Sequence, residues 1–126
     1  MYESIIQNAI KAAQRGTSIA ITGRQSSGKS TLFTKLLNNL PSGVYPRLIC
    51  IDEVATDADL QYIKQYIGDI QSVVIFTHHA ANNADLIKIF GEDTCENLMH
   101  IVCKIDNPTR MRTAEIVGKF APYFAH

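Results

Sequence analysis

Gly23, Gly28, Lys29 and Ser30 stand at the spacing G-x-x-x-x-G-K-[ST], with Arg24, Gln25, Ser26 and Ser27 between them, and that spacing binds phosphate. Each position has a physical task. Two glycines let the backbone curl until successive N–H groups converge on an anion. A lysine in this place reaches the β- and γ-phosphates as a mobile point charge, and the serine hydroxyl is a hard oxygen ligand for Mg²⁺. Thr31 continues the loop into the first turn of a helix, whose positive dipole end faces the same anion. No guanine-reading N-K-x-D segment stands downstream, so the expected ligand is ATP with Mg²⁺.

Two carboxylates follow at the end of Leu48-Ile49-Cys50-Ile51-Asp52-Glu53. The run reads as a buried strand that points its acids at the crevice outside the carboxyl ends of a parallel sheet. Asp52 is then the second Mg²⁺ residue (the Walker B position), and Glu53 is placed to polarise the water that attacks the γ-phosphate. An apolar run ending in acids is weak by itself and gains weight by following the Walker A loop. A third run, Ser72-Val73-Val74-Ile75-Phe76-Thr77-His78-His79, has the composition of a central parallel strand. Thr77, His78 and His79 fall at its carboxyl end, where polar groups sense the γ-phosphate or orient water; the bland reading is a histidine pair in an ordinary strand-to-helix loop.

The elements that must position these residues are legible as periodicities. Residues 18–22 form a short β-branched strand before the loop, and 31–37 a helix after it. Residues 4–15 read as an amphipathic helix opened by a Ser4/Gln7 capping box and closed by Gly16. Pro41-Ser42-Gly43 stops the loop helix, and 44–46 lead into the acidic strand. Helices are expected over 56–67, 84–90 and 93–97, and strands over 98–105 and 111–117, joined as a hairpin by Asp106-Asn107-Pro108-Thr109. Residues 120–126 are an aromatic tail. Right-handed βαβ crossovers then give a three-layer α/β sandwich, mainly parallel, with a C-terminal β-hairpin. The strand ending at Thr77 is expected between the loop strand and the Asp52 strand, the RecA/ASCE-like arrangement of P-loop NTPases.

A chain of 126 residues is one domain by length, read here as 1–126. Basic and acidic residues balance at 12 each, with pI ≈ 6.9, so no broad field attracts nucleic acid or anionic lipid. Arg110-Met111-Arg112 is a local basic patch on a hairpin edge. The three cysteines form no metal-site spacing; Cys50 and Cys103 read as buried free thiols. With no leader or spanning segment in view, the expected location is the cytoplasm.

The pattern Ala9-Ile10, Ser18-Ile19-Ala20-Ile21-Thr22-Gly23 and Ser27-Gly28-Lys29-Ser30-Thr31-Leu32 resembles the motor domain of the type II/type IV secretion, conjugation and pilus ATPases. In that family an acidic strand ending in Glu precedes a Thr-x-His-Ala histidine box. Glu53 and Thr77-His78-His79-Ala80 match it, with Asn82 or Asn83 near the polar residue that follows. The hairpin carrying Arg110, Arg112 and Glu115-Ile116 is similar too. The resemblance implies ATP hydrolysis by Lys29, Ser30, Asp52, Glu53 and His79 on one subunit. It also implies a homo-oligomer, hexameric in the family, and an arginine from a neighbour, for which Arg15, Arg47, Arg110 and Arg112 are candidates. The partner is then a secretion or translocation apparatus, which would hold the protein at the inner face of the membrane.

This chain has Asp52 where the family has Gly, a short segment 41–48 before the acidic strand, and no counterpart of the family's N-terminal domain. A reduced stand-alone relative or a fragment is the expectation. Residues 48–78 also resemble the cassette ATPases of transporters and DNA repair, which would make His78 the γ-phosphate reader; their L-S-G-G-Q-type signature is missing. A third reading is an interaction module that is gated by ATP-Mg²⁺ and hydrolyses little.

Overall fold

The computed structural model describes residues 2–43 and 46–120. The loop strand β1 (Ser18–Gly23) is buried throughout, as Ile19, Ala20 and Ile21 between two helical layers require. It pairs in parallel with β3 (Ser72–His78) on one side and β4 (Leu98–Asp106) on the other. Outside β3 lies β2 (Arg47–Ile51), parallel again, and outside β4 lies β5 (Met111–Val117), antiparallel. The sheet order β2-β3-β1-β4-β5 thus places the Thr77 strand between the loop strand and the Asp52 strand, and closes on a C-terminal hairpin. The fold is an α/β sandwich of the expected kind.

One face of the sheet carries α1 (Glu3–Gln14) and α2 (Lys29–Asn39); Ile6, Ala9, Ile10 and Ala13 of α1 pack with Leu32 and Leu36 of α2 over Ile19, Ile21, Ile75 and Ile101. The other face is covered by α3 (Asp57–Tyr66) and α4 (Asn83–Phe90), whose Ile63, Leu86 and Phe90 meet Ala20, Val74 and Phe76. Alternation along each strand sends successive side chains to the two layers, and this gives one chain two apolar clusters. A one-turn helix α5 (Glu92–Cys95) and a 3₁₀ turn (Gly118–Phe120) complete the described chain.

Three expectations change: the burial of the acidic strand, the burial of Cys50 and the capping box. The acidic strand is not buried: β2 is an edge strand, with Leu48 41% exposed and Cys50 also at the surface, so Cys50 is not a core thiol. Apolar content alone does not separate a central strand from an edge strand lying partly under helices. The Ser4/Gln7 capping box does not form, because α1 already begins at Glu3 with Tyr2 at the cap position and no side-chain cap bond. Tyr2, 8% exposed, anchors that end by packing. Residues 44 and 45 of the expected lead-in, and 121–126 of the aromatic tail, lie outside the described residues. Met111–Val117 is the expected hairpin edge, with a largely exposed start.

Candidate functional site

β1, β2 and β3 end side by side: Thr22 is in register with His78, and Ile51 with Phe76. Their carboxyl ends therefore bring three separated sequence segments to one crevice. The Ser30 hydroxyl donates to Asp52 Oδ1 at 3.2 Å, and the Thr77 hydroxyl donates to the same oxygen at 2.6 Å. Thr77 Oγ1 in turn accepts the Glu53 N–H at 2.6 Å, and the Thr77 carbonyl accepts the Val54 N–H at 3.0 Å. Thr77 is completely buried; it faces the two acids, not the open cleft. Glu53 sits at φ 64°, in the left-handed region that costs a non-glycine residue of order 1 kcal/mol or more, so its backbone is held there by these bonds.

Beside this knot, Lys29 Nζ lies 3.7 Å from Glu53 Oε1; the lysine side chain is 8% exposed and the glutamate 67%. The loop itself turns through Ser26 (φ 68°) and Gly28 (φ 94°). At Gly23, a Cβ would stand 2.6 Å from the Cys103 carbonyl of β4, a contact no side chain tolerates. The helix that follows has no side-chain cap at its N-terminus, so its first N–H groups depend on a partner other than a cap. Ser27 Oγ is buried without a hydrogen-bond partner among the described residues. An uncapped helix end, an orphaned buried hydroxyl and a lysine in one loop fit an anion. The Ser30 hydroxyl and the Asp52 carboxylate are hard oxygen donors of the sort Mg²⁺ prefers. Among the described residues no cluster of three or more His, Cys, Asp or Glu forms a self-sufficient metal site.

A cleft of ≈ 260 Å³ contains Lys29, Ser30, Glu53, Thr31 and Gln25. Arg24 and His79 line a different one, of ≈ 370 Å³, together with Asp85 and Lys88. The two histidines thus part company. His78 is buried, and its Nδ1 accepts the Ala80 N–H at 3.0 Å. Burial first, then the neighbouring His79 and Lys29 charges, lower its pKa to about 4, so the ring is neutral near pH 7 with its proton on Nε2. His79 stacks on it at 4.3 Å from the exposed side.

Two features were not found by reading the chain. Arg112, counted above among arginines for a neighbouring subunit, reaches the loop of its own chain: its Nε–H donates to the Ser26 carbonyl at 3.0 Å, and it borders the Lys29 cleft. Only the hairpin register, Ile105 opposite Arg112, brings it there. Arg47, by contrast, lies at the far end of β2 from Asp52, paired with Asp69 at 3.6 Å and stacked on Tyr66. The second feature is a buried relay: His100 donates from Nδ1 to Asn83 Oδ1 at 3.0 Å and accepts the Thr22 hydroxyl at 2.6 Å. Desolvation lowers the His100 pKa to about 4. A lone histidine inside the apolar run 98–105 was the available signal. Asn82, the other candidate, is used as the N-cap of α4.

No protein-family model matches the chain, and no curated protein matches it. The architecture is consistent with the broad RecA/ASCE group of P-loop folds and compatible with a nucleotide-binding module. No helix among the described residues is long and apolar enough to cross a membrane.

Proposed function

We propose that residues 1–126 act as one nucleotide-binding domain that takes ATP-Mg²⁺ at the Gly23–Thr31 loop and hydrolyses it, in the manner of the secretion- and conjugation-type motor ATPases. The observation that carries this reading is the convergence of the Ser30 and Thr77 hydroxyls on Asp52 Oδ1, beside Lys29 and Glu53. Ser30 and Asp52 would hold Mg²⁺, which when bound supplies charge neutralisation at the phosphate oxygens. Lys29 binds the β- and γ-phosphates, with the loop residues Arg24, Gln25, Ser26, Ser27, Gly28 and Thr31 around them.

Lys29 pairs with Glu53. A phosphate that draws Lys29 away leaves the Glu53 carboxylate to accept a proton from water, which is the general-base role. Thr77 keeps Asp52 and Glu53 at fixed separation rather than reading the γ-phosphate itself. Of the two histidines, the γ-phosphate contact is assigned to His78: it is neutral, and its Nδ1 is held by the Ala80 N–H, which leaves Nε2–H to donate. That is the role the cassette-type resemblance gives it. His79, in the adjoining cleft, is left to the entry side.

The Lys29–Glu53 pair also favours a second reading, a nucleotide-gated module that changes partners with ATP and turns over slowly, since the pair engages its base. Steady-state ATP hydrolysis per chain, across a wide protein concentration range and with Lys29→Ala as the blank, separates the two. A specific rate that climbs with concentration marks a homo-oligomer with a site completed by a neighbour. Arg15 and Arg47 remain as donors in trans, and a secretion or translocation apparatus at the inner membrane face as the setting. A low, constant rate with firm ATP binding marks the module. Loss of neither binding nor turnover in Lys29→Ala overturns both.

A further inference from the structure

The Lys29 cleft continues past Thr31. A second cavity, of ≈ 420 Å³, shares Gly28, Thr31 and Arg112 with the first but not Glu53. It lies between three pieces of the fold: the start of α1, the first turns of α2, and the tip of the β4–β5 hairpin. Thr31 and Lys35, one helical turn apart, give it a polar wall. Tyr2 is its floor, with its hydroxyl 3.4 Å from where a Gly28 side chain would begin and Lys35 Nζ 5.6 Å above its ring. The hairpin supplies Ile105, Met111, Arg110 and Arg112. Ile105 and Arg112 are directly opposed in the antiparallel ladder and so present the same face, and Arg112 is tied to the Ser26 carbonyl. Met111 stands 59% exposed at the end of this wall, a large apolar side chain next to two guanidinium groups.

We infer that this cavity holds the nucleoside end of the nucleotide, with the base laid against Ile105 and Met111 and flanked by Arg110. The inference rests on the nucleotide reading above and adds the subsite to it. A polyphosphate with its terminal group at Glu53 directs its other end toward the part of the loop lacking Glu53, which is Thr31 and the cavity beyond it. Apolar side chains beside guanidinium planes are the surface on which a heteroaromatic ring stacks. The competing space is the ≈ 350 Å³ cavity on the other side of the loop, bordered by Arg24, Ala81, Lys104 and Asn107; it shares Ile105 with the proposed subsite but has none of Thr31, Met111 and Arg112.

The test compares the affinity of ATP with that of inorganic tripolyphosphate, both with Mg²⁺, by titration calorimetry. Wild-type protein is expected to bind ATP at least tenfold more tightly. Met111→Asp, and separately Arg110→Ala, which removes the flanking guanidinium, should erase that advantage and leave tripolyphosphate affinity unchanged. Retained tripolyphosphate binding shows that the fold and loop are intact. Ala81→Phe, filling the opposite cavity, should leave the advantage in place. The inference is overturned if wild type prefers neither ligand, if both hairpin variants keep the ATP advantage or lose both ligands equally, or if Ala81→Phe alone removes it. If neither ligand binds wild type, the nucleotide reading itself fails and the subsite with it.

Discussion

Thr77 carries two jobs on one oxygen: its proton goes to Asp52 Oδ1 and its lone pair takes the Glu53 N–H. Valine in its place has nearly the same volume and neither capacity, and it leaves a backbone donor and a carboxylate without their partner. Thr77→Val is expected to cost about 1–3 kcal/mol in chemical denaturation, and to slow turnover more than it weakens ATP binding. Thr77→Ser should recover most of both. An unaltered turnover number would refute the positioning role. Glu53 gives the complementary case. Glu53→Gln keeps the shape and loses the base, so ATP stays bound while turnover falls by roughly 10²–10⁴; pre-steady-state measurement of bound ATP against product reads both numbers. Equal turnover in this variant would remove Glu53 from the chemistry.

Among the secondary-structure elements, α4 is the one whose packing reaches the site from behind. Phe90 (1% exposed) lies 5.2 Å from the Phe76 ring and 6.2 Å from that of His78, forming the dry wall that keeps His78 neutral. Phe90→Ala is expected to cost about 3–5 kcal/mol. In whatever fraction stays folded, the His78 pKa should rise from about 4 toward its ordinary 6.5 as water replaces the ring. NMR titration of the His78 ring checks this, and an unmoved value would mean that the His79 and Lys29 charges, not desolvation, depress it. The α3 end is simpler. Thr56 accepts the Asp59 N–H at 3.1 Å, so Thr56→Ala should remove about 1 kcal/mol without touching the nucleotide site.

The chain as a whole inherits an acid sensitivity from its two buried histidines. Both His78 and His100 have folded pKa values lowered to about 4, against 6.5 when unfolded. Between those values the unfolded chain binds protons that the folded one refuses, so stability falls as pH drops from 6.5 toward 4 and is flat above. Each ring adds at most about 1.4 kcal/mol per pH unit to the slope. In His100→Gln the slope should be roughly halved, with denaturant midpoints measured at half-unit steps of pH as the readout. A wild-type midpoint that does not change over this window would show that the Thr22–His100–Asn83 relay accepts a proton without opening.

The strand-loop-helix with its phosphate spacing, the acidic and histidine strands, the helices that cover them and the terminal hairpin were all readable along the chain. They depend on local periodicity, turn chemistry and contiguous motifs, which neighbouring residues encode. Sheet order followed from the Asp52-Glu53 pair only through resemblance, and the register of β1, β2 and β3 then made one crevice of three segments. What the residues could not disclose was decided by contacts between distant parts. Equal apolar runs became a central strand at Ser72–His78 and an exposed edge at Arg47–Ile51, since burial depends on which layers reach each strand. Thr77 turned inward to the acids, His78 and His79 were sent to different surroundings, and Arg112 came to the loop across 86 residues of chain. Residue type and spacing set which chemistry is available; side-chain direction and solvent access, which set what each group can do, exist only once the sheet has closed.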